Sequence, residues 1–172
     1  AGLYRNVRLV TTERVHVPVW GTQLTTPHVS AEYASVRLRT TIRNAGDADV
    51  RISTDIIAPD GKIVARKDNS RKINHGQPFE QNFLINAPSL WSPETPYLYK
   101  AVSKIYVDGK QTDEYTTRFG IRSIEIIADK GFFLNGKHRK FQGVCNHHDL
   151  GPLGAAVNVA ALRRQLTLLK DM

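Results

Sequence analysis

Short segments in which apolar and polar residues alternate make up most of the chain before residue 122. A period of two predicts β-strands that bury one face and leave the other in water. Pro18 would confine the earliest of these strands to a sheet edge. The charged stretch 66–72 shows no such alternation and is interpreted as a polar loop. The predicted strands cover residues 14–19, 36–42, 50–56, 79–86, 98–107 and 112–121.

Turn signals separate these strands at the spacing of an antiparallel sandwich. Pro59, Asp60 and Gly61 predict a turn, and Asp108 with Gly109 predicts a two-residue hairpin. We therefore expect a mainly β fold that begins with an immunoglobulin-like β-sandwich of about seven antiparallel strands. The cysteine and tryptophan hallmarks of antibody domains are missing, so the inference concerns the architecture alone.

The pattern changes after residue 122. A short strand at 123–127 precedes a β-hairpin that turns at Asn135-Gly136, and a further apolar segment covers 141–145. Asn158 is a suitable N-cap for a helix at 158–172. Apolar residues recur at helical spacing along that helix, at Val159, Leu162, Leu166, Leu169 and Met172.

One strand, one loop and one helix make a β/α unit that cannot cover its own apolar face, and a complete barrel of such units needs about 250 residues. The helical pattern also reaches Met172 without a glycine cap or a proline stop. If residues 123–172 are the entry to such a barrel, they supply only a small part of it. We expect one of three outcomes for this helix: its apolar face docks on the sandwich, its apolar face pairs with a second copy of the chain, or the helix frays.

The chain carries 24 Lys+Arg against 16 Asp+Glu, a formal net charge of +8 that raises nucleic acid as a partner. The arginines near 37–43 alternate with apolar residues as on a wet strand face, and the run at 66–72 lacks aromatic residues for base stacking. We expect no nucleic-acid partner. No apolar window reaches about 18 residues, so no membrane span is expected. No signal peptide is recognisable at 1–5, and the compartment is left open, with the periplasm or exterior preferred to the cytoplasm.

Five blocks carry a more specific signal: residues 2–9 (GLYRNVRL), 88–99 (PSLWSPETPYLY), 119–122 (FGIR), 133–137 (FLNGK) and 143–149 (GVCNHHD). In this order they resemble segments of glycoside hydrolase family 2, in its β-galactosidase and β-glucuronidase group. The resemblance implies that residues 1–10 are the end of an upstream jelly-roll domain or a linker, that 11–122 form the sandwich, and that 123–172 begin a catalytic TIM barrel.

Membership of that family would imply a retaining hydrolase of terminal β-glycosides, with β-galactosides preferred and a carbohydrate as the substrate. Such enzymes use two carboxyl groups, which the family places on later barrel strands. Glu94 and Glu125 do not lie in the corresponding segments. We therefore assign no catalytic residue to this chain, expect it to be inactive alone, and infer no cofactor.

The loop after the proposed first barrel strand contains the candidate substrate-binding residues His147, His148 and Asp149. The resemblance implies that His147 hydrogen-bonds a sugar hydroxyl. The alternative is that these side chains only order the loop. Cys145 completes a Cys-x-His-His-Asp pattern, but ligands so close on one strand end rarely converge on one ion, so no metal site is expected.

Two tryptophans and one rival function complete the predictions. Trp91 is expected to pack over the end of the sandwich, with sugar stacking as the alternative, and Trp20 to pack similarly. The rival function is a stand-alone immunoglobulin-like module that binds carbohydrate or protein. A homo-oligomer formed through the helix at 158–172 is a further expectation.

Overall fold

The computed structural model describes residues 6–43, 46, 48–72, 77–147, 149–156 and 158–172. The chain forms two compact units: a sandwich unit, Thr12–Lys140, and a terminal unit composed of Ala1–Thr11 and Phe141–Met172. Both units are discussed only where residues are described. Among those residues, no helix is both long and apolar enough to cross a membrane.

Seven antiparallel strands in two sheets build the sandwich. The strands are β1 (Thr22–Val29), β2 (Tyr33–Thr40), β3 (Asp49–Ile57), β4 (Ile63–Lys72), β5 (Phe79–Asn86), β6 (Tyr99–Val107) and β7 (Lys110–Phe119). One sheet has the order β1-β2-β5 and the other β4-β3-β6-β7. The fold class and the strand count predicted from the sequence are confirmed.

A smaller sheet and one helix follow. The strands β8 (Ile124–Ile127), β9 (Gly131–Leu134) and β10 (Lys137–Arg139) form a three-stranded antiparallel sheet within the sandwich unit. In the terminal unit, a short 3₁₀ turn at Gly151–Leu153 precedes α1 (Val159–Asp171), none of whose residues is buried. The expected domain boundaries at 10 and 122 stay predictions.

Both predicted hairpins have the backbone that their sequences require. Asp108 and Gly109 have φ values of 50° and 81°, and Asn135 and Gly136 have 51° and 73°. Two successive positive φ values match the twist of the flanking strands, and Asn, Asp and Gly adopt them at low cost. The helix cap is confirmed as well, because the Asn158 side chain accepts hydrogen bonds from the N–H groups of Ala160 (2.8 Å) and Ala161 (3.4 Å).

A layer of hydrogen-bonded polar side chains divides the sandwich core. The Thr54 hydroxyl donates to Gln81 Oε1 across the two sheets (2.7 Å) and lies 2.9 Å from the Ser103 hydroxyl. Gln81 Nε2 donates to the Lys67 carbonyl and to Asn69 Oδ1, both at 3.1 Å. One apolar cluster lies on each side of this layer, the first around Leu38 and Phe83 and the second around Ile52 and Phe79.

A tyrosine hydroxyl ties the chain to the start of β6. The buried Tyr99 accepts a hydrogen bond from the Ser89 N–H at 2.8 Å. Immunoglobulin-like domains use a tyrosine at the corresponding strand in the same way, to bind backbone a few residues upstream. This tyrosine contact is a hallmark of the immunoglobulin-like fold, and the chain has it although it lacks the cysteine pair.

Three predicted segments were wrong. Residues 14–19 form only an isolated bridge between His16 and Arg43, because Pro18 has no N–H and the Val17 N–H donates to Asp113 Oδ2 (2.7 Å) instead of to a neighbouring strand. Val15 and Val17 are buried as their pattern indicated. The charged stretch 66–72 lies in β4, where it pairs with β3 along its whole length.

The third wrong segment is 141–145, predicted as a barrel strand. Residues 141–147 are irregular. A parallel barrel strand takes its hydrogen bonds from strands on both sides. None of the strands in the described part of the chain pairs with this segment.

Candidate functional site

The loop predicted to contact substrate is only partly described. His147 is exposed, His148 lies outside the described residues, and the exposed Asp149 accepts a hydrogen bond from the Gly151 N–H at 2.8 Å. That bond orders the turn at Gly151, whose φ of 62° suits glycine. The three residues therefore stay predicted substrate contacts.

Metal-binding residues do not gather here. Cys145 is exposed and makes no disulfide. Within the described ranges, no three His, Cys, Asp or Glu side chains come together in a group that could hold a metal ion.

A junction between the sandwich and the β8–β10 sheet forms around Asn135, which sequence reasoning identified only as a turn residue. Its side chain accepts from the Ser123 N–H and donates to the Trp91 carbonyl, both at 3.0 Å. Its own N–H donates to the Ser123 carbonyl, also at 3.0 Å. The Trp91 N–H in turn donates to the Ile121 carbonyl at 2.8 Å. One amide side chain thus joins the loop before β6, the segment between β7 and β8, and the β9–β10 turn.

A bidentate ion pair also connects the loop before β6 to β10. Arg139 Nη1 and Nη2 lie 2.5 and 2.8 Å from the two carboxylate oxygens of Glu94, 45 residues earlier in the chain. Together with Asn135 and Lys137 they line a groove of about 480 Å³. Two parallel N–H···O bonds hold the guanidinium and the carboxylate in one relative orientation and add to the attraction between their charges.

The ion pair also defines what Glu94 can do chemically. Hydrogen bonding from Arg139 lowers the pKa of Glu94 from 4.5 to about 2. A general acid must hold its proton near the operating pH, and an acid with so low a pKa does not. Both carboxylate oxygens of Glu94 are engaged by the Arg139 guanidinium.

Removing this charge should change how stability responds to acid. The folded-state pKa lies below the ordinary value, so the ion pair stabilises the fold above about pH 4.5 and is lost as the pH falls toward about 2. We expect Glu94→Gln to flatten this part of the profile in urea unfolding between pH 7 and about pH 2.5. Glu125→Gln, which removes an exposed carboxylate from β8, is the control and should leave the slope unchanged. An unchanged slope in Glu94→Gln would contradict the assignment.

The two tryptophans differ. Trp91 is half-buried, a Cβ added at Gly120 would lie 2.9 Å from it, and the Arg122 guanidinium lies 5.0 Å from its ring centroid. These contacts support the packing role. Trp20 is 91% exposed, so its predicted packing was wrong. Its φ of 58° belongs to the turn that ends with the Gly21 N–H donating to the Pro18 carbonyl.

Internal partners occupy the basic strand β4. Arg66 binds Asp55 and lowers the pKa of that carboxyl by hydrogen bonding. Asp68 accepts from Arg51 at 3.1 Å, and Arg71 donates to the Gln77 and Pro78 carbonyls at 2.8 and 2.7 Å. These arginines therefore use hydrogen-bonding capacity on groups of the chain itself.

A two-sheet sandwich with a tyrosine tie and an attached small sheet defines the class of immunoglobulin-like β-sandwich modules. The family Glycosyl hydrolases family 2 matches residues 17–122. The chain belongs to that family, as the five sequence blocks indicated.

Known proteins are similar to this chain in sequence and in fold. The β-galactosidase BoGH2A of Bacteroides ovatus is 42% identical over 99% of this chain, and a β-glucuronidase of Bacteroides fragilis is 30% identical over 99%. The crystal structure of a β-glycosidase from Bacteroides vulgatus superposes with a TM-score of 0.88 at 32% identity and covers 99% of this chain. The chain spans 21%, 26% and 22% of these proteins, about a quarter or less of their length.

Proposed function

We propose that this chain is the non-catalytic scaffold of a retaining glycoside hydrolase that removes terminal β-linked sugars, with β-galactosides preferred. The match of the family over 17–122 carries the proposal, together with the names of relatives that the chain covers only in small part. The most similar of the three relatives above is a β-galactosidase, which favours that substrate.

The surroundings of the carboxylates support the scaffold role. A retaining mechanism needs two carboxyl groups about 5 to 5.5 Å apart on either side of the scissile bond, one of them able to donate a proton. Glu94 binds Arg139, Asp55 binds Arg66, and Glu80 lies 3.6 and 4.0 Å from Arg37 and Arg39. These acids serve the sandwich and its junction.

Kinetics on chromogenic substrates test the proposal. We expect the 172-residue chain to hydrolyse neither nitrophenyl β-galactoside nor nitrophenyl β-glucuronide. A longer polypeptide that contains it should hydrolyse the galactoside with the higher kcat/KM. Turnover by the short chain, or a longer protein active on neither sugar, would contradict the proposal.

His147 is proposed to hydrogen-bond a sugar hydroxyl in that longer protein. Deleting a hydrogen bond that strengthens in the transition state costs about 10²-fold. We therefore expect His147→Ala in the longer protein to lower kcat/KM by about 10²-fold, mainly through kcat. His28→Ala, on β1, is the matched control. A change below threefold in His147→Ala would leave His147 with a loop-ordering role only.

The helix at 158–172 is proposed to pair with a second copy of the chain. Its residues Leu166 and Leu169 are 54% and 39% exposed, and burying an apolar side chain is worth about 1.5 to 3 kcal/mol. Sedimentation equilibrium should show a dimer that Leu166→Glu converts to a monomer, whereas Gln165→Glu does not. A monomeric mass for the unaltered chain at every concentration would contradict the pairing.

A further inference from the structure

An open groove of about 530 Å³ lies within the sandwich unit, beside the middle of β1 and the end of β7. Its lining combines apolar residues with two threonines and two arginines. The lining residues are Leu24, Thr25, Thr26, Leu98, Arg118, Phe119, Gly120, Arg122 and Ile124. No acidic side chain is among them.

The charge in this groove is unbalanced. Arg118 and Arg122 are both exposed, and Lys100 stands directly opposite Arg118 in the β6–β7 pairing. In the part of the chain that the structure describes, no carboxylate forms an ion pair with these three cations. Like charges directly opposite one another destabilise a sheet. An external anion would relieve that repulsion, which distinguishes this group from the internally paired cations of β4.

The local backbone prepares the groove for a ligand. The β1–β2 register shifts between Thr25 and His28, and such bulges redirect side chains and are common beside binding sites. The Arg122 guanidinium lies over the Trp91 ring, which limits its freedom before any ligand arrives. A positioned arginine loses less entropy when it binds, and its planar fork matches the two oxygens of a carboxylate.

We propose that this groove binds the carboxylate of an acidic saccharide. The two arginines would hold the oxyanion, the Thr25 and Thr26 hydroxyls would meet ring hydroxyls, and Leu98 and Ile124 would pack against the apolar face of the pyranose. The preference for an oxyanion follows from the arginines that line the groove, which are unpaired among the described residues. The choice of a saccharide over another carboxylate rests on the proposed function.

Titration calorimetry on the 172-residue chain tests this site with tetragalacturonate, with its uncharged methyl ester, and with inorganic sulfate. We expect tetragalacturonate to bind and the methyl ester to bind at least about tenfold more weakly, because a hydrogen bond to a charged group is worth about that much. Raising the salt concentration should weaken binding. Equal binding of the ester, or no binding of tetragalacturonate, would overturn the proposal. Binding of sulfate without tetragalacturonate would overturn the saccharide assignment.

Variants locate the site. Arg118→Gln and Arg122→Gln should each weaken tetragalacturonate binding about tenfold. Arg37→Gln, on the outer face of β2, should leave the Kd unchanged. Because Arg122 also covers Trp91, Arg122→Lys serves as a second variant that keeps the charge and loses the fork. Unaltered affinity in Arg118→Gln would contradict the site. These readouts need no turnover, so an inactive longer protein would refute the proposed function and leave the binding result standing.

Discussion

Replacing Gln81 by leucine should lower the free energy of unfolding by about 2 kcal/mol, although leucine is the more apolar residue. Gln81 is fully buried and accepts from Thr54 while donating to the Lys67 carbonyl and to Asn69. The substitution leaves buried polar groups without partners, and each such group costs about 1 to 3 kcal/mol. Urea unfolding followed by circular dichroism measures the loss.

Removing the rest of the layer should restore most of that stability. When the buried partners Thr54 and Ser103 also become apolar, the groups that still lose a partner are the Lys67 carbonyl and the Asn69 side chain. Lys67 is exposed and Asn69 is half-buried, so water can replace the lost bonds and little desolvation cost remains. We expect Thr54→Val/Gln81→Leu/Ser103→Ala to unfold within about 1 kcal/mol of the unaltered chain. Asn82→Leu, an exposed neighbour on β5, is the control for an apolar substitution. A triple variant less stable than Gln81→Leu alone would contradict the account of the polar layer.

The second large effect is expected at the junction. Glycine tolerates the φ of 51° at position 135, so Asn135→Gly keeps the turn conformation. The substitution deletes the side-chain bonds to the Ser123 N–H and the Trp91 carbonyl. Two lost bonds of this kind cost about 2 kcal/mol. Because they attach the β8–β10 sheet, hydrogen exchange should quicken in β8–β10 while β2, β3 and β6 keep their protection.

The other hairpin provides a matched control. Asp108 occupies the equivalent turn position between β6 and β7 with a φ of 50°, and its side chain has no hydrogen-bond partner among the described residues. Asp108→Gly should therefore leave exchange in β8–β10 unchanged. If Asn135→Gly behaves like Asp108→Gly, the side-chain amide does not attach the small sheet.

Local sequence pattern predicts some strands well because their two faces differ strictly. Residues along β2, β3 and β5 are buried and exposed in turn, as period-two burial requires. β1 and β4 contain no fully buried residue, so their sequences lack a strict apolar face. A period-two apolar pattern does not reveal such strands, which pair with β2 and β3.

The junction could be predicted only in part. Asn135-Gly136 has a local signal as a turn, but the bonds from Asn135 to Trp91 span 44 residues and those from Arg139 to Glu94 span 45. Gln81 had a usable signal, because a polar residue at an inward position of an alternating strand must find partners. The groove at Arg118 and Arg122 is lined in part by β1 residues beside a register shift, which lie far away in sequence.

Mechanism-based labelling tests the scaffold assignment most directly. A 2-deoxy-2-fluoro-β-galactoside with a good leaving group traps the glycosyl-enzyme intermediate of a retaining enzyme on its carboxylate nucleophile. Peptide mass spectrometry of the labelled longer protein should locate the label. We predict that it lies on a residue outside the 172 residues of this sequence. A label on Glu94, Glu125 or any other residue of this chain would contradict the account.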